Sequence, residues 1–327
     1  RDFGEQRAYQ TTWKGVPLRP LLDGGRVYAR RYTSQGIALE AAQLADGSTA
    51  WISPAAHQVV ADPWLADGRL LAVTATVEEP PVRRPGRSPP PAAWRFRSKH
   101  SIPWVLSLAR FDAGNGALIE QRPLVRLQSR ERAIPLCRAV RRGPTLLLAF
   151  VGGVVAANMD GEVLWARRQN WQDTQSQAAV PVLPAAGQGL ALVTHSGADG
   201  VQAVDLETGR MRWQCPAPGV TRLVGIAAGR LIAQDGAGLL AIELRDGELA
   251  WRLALEDAAQ GFLCGGPGGL AYCAWRREVS GRWLPALVWV DPATGKVAAQ
   301  TQAEGLRPLR SPAKGCWFGP LVSLEGR

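Results

Sequence analysis

Five cysteines and three histidines are the side chains of this 327-residue sequence best suited to thiolate, redox or metal chemistry. Cys137, Cys215, Cys264, Cys273 and Cys316 include no Cys-x-x-Cys pair, so neither a zinc ribbon nor a thioredoxin-type site is encoded. Cys264 and Cys273 flank a Gly-Gly-Pro-Gly-Gly turn; they either face each other across a hairpin or are buried as small apolar residues. His57, His100 and His195 stand in separate segments without a two-His metal spacing, and read as loop histidines. No Gly-x-Ser-x-Gly elbow is present. Gly236-Ala237-Gly238-Leu239-Leu240-Ala241 fits the dinucleotide fingerprint formally. A strand and a turn follow it, without the helix N-terminus that would hold a pyrophosphate, so it reads as a hairpin.

Arginine is the remaining candidate chemistry. The formal net charge is +10, and 34 of the 38 basic residues are Arg. A GC-rich genome gives the same bias; so does a surface built for anions, because the guanidinium fork matches carboxylate and phosphate. The densest segment, 78–102, sets Arg83, Arg84, Arg87, Arg95, Arg97 and Lys99 against only Glu78 and Glu79, with Trp94 and Phe96 interleaved among prolines. Arg30 with Arg31, Arg167 with Arg168 and Trp171, and Arg276 with Arg277 form further groups. Arg with exposed Trp suits an acidic protein surface, an anionic polymer or sugar rings. The aromatic strand motifs of RNA-binding modules are absent, which argues against nucleic acid. No apolar run reaches the ~18 residues of a membrane helix. The first residue is Arg, without a signal peptide, so the chain reads as a processed protein or an excerpt.

The elements that must position these residues are repeats. Gly47, Gly161, Gly209 and Gly247 each precede a tryptophan by four positions: Trp51, Trp165, Trp213 and Trp251. Gly116 and Gly295 keep the turn but are followed by Glu120 and Ala299. The spacing of roughly 40–50 residues is that of propellers or helical arrays, and the short apolar runs between Gly, Asp and Pro are strands. Within 178–215 the expected strands are 179–183, 190–194, 201–206 and 210–214. The fold class is therefore all-β: a β-propeller of four-stranded antiparallel blades. Glycine suits the left-handed position of each turn, and the Trp on the outer strand is placed to pack on the neighbouring blade.

These residues resemble the repeat of the pyrroloquinoline-quinone-type, or quinoprotein dehydrogenase-like, β-propellers, whose motif Ala-x-Asp-x-x-Thr-Gly-x-x-x-Trp is matched by 203–213. The resemblance implies six complete blades at about 16–54, 59–122, 131–170, 176–216, 219–255 and 260–302. A seventh, 306–327, is closed by residues 5–13, making 1–327 one domain; an eight-bladed propeller is the alternative. Dehydrogenases of this type hold the quinone with adjacent cysteines, a Ca²⁺ set of carboxylate and Asn, and a catalytic Asp. This sequence has no Cys-Cys pair, no such Ca²⁺ cluster and no haem attachment motif, so no cofactor is expected. The expected function is a non-catalytic scaffold or sensor domain, outside the cytoplasm, binding a protein or anionic polymer. A quinone-dependent oxidoreductase is the alternative. The proposed binding residues are Arg30, Arg31, Arg83, Arg84, Trp94, Arg95, Arg97, Arg167, Arg168, Trp171, Arg276 and Arg277. In propeller topology they belong to the end of the blades that carries the second-to-third and blade-to-blade connections.

Overall fold

A computed structural model describes residues 12–13, 16–17, 20–54, 57–78, 102–129, 137–150, 153–168, 182, 184–194, 199–254, 262–266, 269–277 and 283–302. The described residues contain strands and turns and no helix. Six antiparallel sheets follow the order of the chain, each with neighbouring strands hydrogen-bonded in sequence. They are the blades of a β-propeller, numbered 1 to 6, and the strands of each are A to D from first to last. Blade 1 is Leu21–Asp23, Arg26–Thr33, Gly36–Gln43 and Thr49–Ile52. Blade 2 splits strand A into Gln58–Val59 and Trp64–Ala66, both paired with Arg69–Val77, and continues in Ile102–Asp112 and Leu118–Ser129. Blade 3 is Cys137–Arg142, Thr145–Phe150, Gly153–Asn158 and Val163–Arg168. Blade 4 is Ala185–Gly187, Leu190–Val193, Val201–Asp205 and Met211–Cys215. Blade 5 is Arg222–Ala227, Arg230–Gln234, Gly238–Glu243 and Leu249–Ala254. Blade 6 is Phe262–Gly266, Gly269–Arg277, Trp283–Val290 and Val297–Gln302. A short hairpin, Thr12–Trp13 with Val16–Pro17, precedes them.

The chain divides into two compact units. One is Arg1–Ala139 with Pro144–Leu146 and Ala157–Leu164; the other is Val140–Gly143, Leu147–Ala156 and Trp165–Arg327. The first unit has a core of Tyr28, Ile37, Leu39, Trp51, Leu70 and Phe111 with their neighbours. The second has a larger one running through Leu192, Val201, Trp213, Leu231, Leu240 and Ile242.

Burial explains the sequence pattern strand by strand. Strands B and C have both faces covered, and read as continuous apolar runs: Leu146–Phe150 and Gly153–Ala157 are buried throughout. Strand D has one covered face, and alternates; in Met211–Cys215 only Trp213 and Cys215 are buried. The A–B hairpins of blades 1, 2, 4 and 5 turn through two residues of positive φ, as in Gln188 (52°) and Gly189 (73°). That turn type matches the twist of the strands and fixes their register. It also corrects the expected first strand of blade 4. The turn pairs Ala185 with Leu192 and Gly187 with Leu190, so strand A is Ala185–Gly187. It is preceded by Pro184, which has no N–H for a ladder. Of the expected 179–183, only Val182 is described.

Gly236–Ala241 is a hairpin. Asp235 caps it through Oδ1, accepting from the N–H groups of Ala237 and Gly238, and strand C follows directly. Cys264 lies opposite Ala271 and Cys273 opposite Phe262, so the two are not direct cross-strand partners. Cys137 and Cys215 are free and buried; burial pushes the Cys137 thiol up to about 12. The closing segments 5–11 and 306–327, insertion residues 79–101, Trp171, His100, His195 and Cys316 lie outside the described residues.

Candidate functional site

The repeat's tryptophans form one recurring contact. Within the ladder, Trp51 stands opposite Ala41, Trp213 opposite Ala203 and Trp251 opposite Ala241. A bulge follows at the same step of each pair, placing two residues of one strand against one of the other. The small Ala leaves room for the indole, which reaches the C–D turn of the next blade. Trp51 Nε1 donates to the Ala113 carbonyl (3.1 Å), Trp165 to Leu206 (2.8 Å), Trp213 to Leu244 (2.8 Å) and Trp251 to Pro292 (3.0 Å). The indole lies under that turn's glycine. A Cβ on Gly116, Gly209, Gly247 or Gly295 would come within 2.4–2.7 Å of indole carbon. These glycines also have φ between 68° and 81°, where L side chains are strained. The indole N–H is thus satisfied while its rings are buried.

Blade 2 does this with charge. At the Ala and Trp positions of its ladder stand Arg110 and Glu120, paired at 2.6 Å. Arg110 Nη2 donates to the Met159 carbonyl (2.8 Å) and to Asp160 Oδ1 (2.8 Å) of the next C–D turn. The stem of Arg122 takes the place of the indole beneath Gly161. The Arg122 guanidinium, with Arg110, holds the Glu120 carboxyl below its ordinary range. Blade 6 inverts the pair, with Trp289 opposite Ala299.

Three of the arginines expected to bind a partner are engaged within the fold. Arg30 is 6% exposed and lies inside strand B of blade 1, not at its end. It donates to Asp62 and to the Val60 carbonyl, tying blade 1 to the start of blade 2. Arg31 pairs with the buried Glu40 at 2.9 Å. Arg167 donates to the Gly209 carbonyl at 2.9 Å, beside the Trp165 contact. Arg276 and Arg277 are in strand B of blade 6, paired with Leu284 and Trp283, so the connection itself is 278–282. Arg168 ends strand D of blade 3. Arg83, Arg84, Trp94, Arg95 and Arg97 belong to the segment between Val77 and Ile102, the B–C connection of blade 2, and lie with Trp171 outside the described residues.

Sequence reasoning missed two other arginines. Arg26 and Arg230 open strand B directly after the A–B turn. Each donates to a carbonyl of the following C–D turn: Arg26 to Ala113 at 2.8 Å, and Arg230 to Ala293. The available signal was the recurring Gly-Arg at 25–26, 68–69 and 229–230. Among the described residues no group of three or more His, Cys, Asp or Glu is placed to hold a metal ion. No helix there is long and apolar enough to cross a membrane.

Comparison with known proteins agrees with this geometry. A family model described as outer membrane protein assembly factor BamB matches residues 151–307, a little under half of the chain. No curated protein matches the sequence. BamB from Moraxella catarrhalis is similar in structure at 13% identity and a TM-score of 0.53, over 86% of this chain and 74% of that one. Apo AztD from Citrobacter koseri is similar at 13% identity and a TM-score of 0.51, over 89% and 72%. The dihydro-heme d1 dehydrogenase NirN is similar at 13% identity and a TM-score of 0.52, over 88% of this chain but 57% of that one. At these identities the likeness is one of fold. The chain is a β-propeller, and its residues 151–307 are similar to repeats of the pyrroloquinoline-quinone type.

Proposed function

We propose that the chain is a non-catalytic propeller scaffold or sensor domain that binds a protein or an anionic polymer through basic connections at one end of its blades. The observation that carries this reading is one long connection among short ones. Strands B and C are joined by two residues in blade 1 and by three in blade 5. In blade 2 residues 78–101 join them, and they hold the densest Arg and Trp cluster of the sequence. Loops on a rigid scaffold are where binding residues concentrate. With Arg30, Arg31 and Arg167 engaged internally, the proposed contacts are Arg83, Arg84, Trp94, Arg95 and Arg97 on blade 2, Arg168 and Trp171 after blade 3, and Arg276 and Arg277 on blade 6. Likeness to an envelope assembly factor supports an extracytoplasmic, periplasmic or cell-envelope location.

The test is cross-linked capture from a bacterial envelope extract. The intact chain is compared with a variant lacking 80–101 and with Arg276→Ala/Arg277→Ala. Capture of a defined partner by the intact chain and its loss from the folded variants is expected. Equal capture by all three overturns the reading.

A further inference from the structure

The geometry points to a guanidinium-binding groove between the turns of blades 4 and 5. In the ladders of blades 1, 2, 4 and 5, the residue that opens strand B stands opposite the last residue of strand C. The pairs are Arg26 with Gln43, Arg69 with Asp112, Leu190 with Asp205, and Arg230 with Glu243. Arg26 and Arg230 do the same work. Arg26 Nη1 donates to the Ala113 and Gly114 carbonyls, beside the Trp51 contact on the same turn. Arg230 Nη1 donates to the Ala293 carbonyl, beside the Trp251 contact, while its Nε donates to Glu243 Oε1 at 2.7 Å.

Leu190 has no donor to offer, and an open groove stands at this position of blade 4, lined by Gln188, Leu190, Asp205, Arg212, Trp213 and Arg245. The Arg245 carbonyl, counterpart of the Ala293 carbonyl, accepts no hydrogen bond from a described residue. Asp205 is the counterpart of Glu243. Its Oδ1 accepts from the N–H and hydroxyl of Thr208, and its Oδ2 accepts from Arg212 at 2.6 Å. Arg212 reaches Asp205 from the outer strand of the same blade. A carboxylate, a turn carbonyl and an indole edge thus surround a slot whose counterpart in blade 5 this chain fills with the guanidinium of Arg230, as Arg26 fills the one in blade 1 through turn carbonyls alone. The occupant is an arginine side chain, carried on a peptide or as the free amino acid. A lysine ammonium lacks the fork that spans carboxylate and carbonyl together. The groove lies at the tight-turn end of the blades and takes a cation, so its failure would leave the reading above untouched.

The experiment titrates the full chain at low salt with Nα-acetyl-arginine methylamide, free L-arginine and Nα-acetyl-lysine methylamide, following tryptophan fluorescence and indole N–H resonances. Saturable binding of the acetyl-arginine amide is expected, with the lysine analogue roughly tenfold weaker. Free arginine binding as tightly marks a free amino-acid ligand; weaker binding marks a peptide-borne one. Leu190→Arg fills the slot from within and lowers affinity by about tenfold or more, while Arg212→Ala raises it severalfold. Leu190 also packs against the core, so an independent arm uses Arg230→Leu. That variant opens the sister slot and is expected to bind two equivalents, with the arginine amide restoring part of its lost Tm. Absence of saturable binding to both the natural chain and Arg212→Ala overturns the proposal. So does undiminished binding to folded Leu190→Arg, or a single equivalent with no Tm recovery in Arg230→Leu.

Discussion

Gly247 and Trp213 show how two residues hold a blade junction. The glycine has φ 81° and its missing Cβ leaves the space, 2.6 Å away, that the indole occupies. Gly247→Ala therefore meets backbone strain and a clash together, and is expected to lower stability by about 2–4 kcal/mol. Trp213→Ala empties the site and strands the Leu244 carbonyl, with an expected loss of about 3–5 kcal/mol. Urea melts of both variants check these values; wild-type midpoints would contradict them. The turn aspartates give a pH signature. The Arg212 guanidinium and the Thr208 N–H and hydroxyl hold Asp205 far below the usual carboxylate range. The Thr294 hydroxyl and the Ala293 N–H hold Asp291 down in the same way. A depressed carboxylate stabilises the fold above its unfolded pKa, about 3.9, and that contribution is lost as pH falls through the folded value. The difference in stability between wild type and Asp205→Asn/Asp291→Asn should shrink steadily as pH falls below about 4. A constant difference would contradict the assignment.

At the scale of elements, five blade junctions answer the same requirement with different chemistry. Four use an indole under a glycine, and that between blades 2 and 3 uses Arg110, Glu120 and Arg122. Charge-assisted bonds at partly exposed positions are screened by salt, whereas indole burial is not. Arg110→Ala is expected to cost about 1–2 kcal/mol at low salt and less at high salt. Trp213→Ala should cost the same at both, and melts at two salt concentrations decide it. This difference also marks what was legible in the sequence. The Gly-to-Trp interval and the Ala-x-Asp turn are local, set by one ladder and one bulge, so they can be read directly. Arg110, Arg26 and Arg230 bond backbone carbonyls of the next blade, and a carbonyl carries no side-chain signature. Such arginines look like solvated charge until the register aligns them. Arg30 and Arg31 were misread for a related reason: Asp62 becomes the partner of Arg30 only through the packing of blade 2 on blade 1, and Glu40 meets Arg31 only through the B–C register of blade 1.

At the scale of the molecule, the thirteen tryptophans and 34 arginines of the composition separate into two roles. The docking tryptophans are architectural, and so are Arg26, Arg30, Arg110, Arg167 and Arg230. The densest group among the other arginines is Arg83, Arg84, Arg87, Arg95 and Arg97 within 78–102, and the central claim is that they, with Arg276 and Arg277, bind an acidic partner. Fluorescence anisotropy with labelled poly-L-glutamate, repeated across salt concentrations, tests it most directly. The account predicts saturable binding that weakens steeply with salt, and a loss of about tenfold or more on removing 80–101 with Arg276→Ala/Arg277→Ala. Affinity unchanged in the folded variant would contradict it.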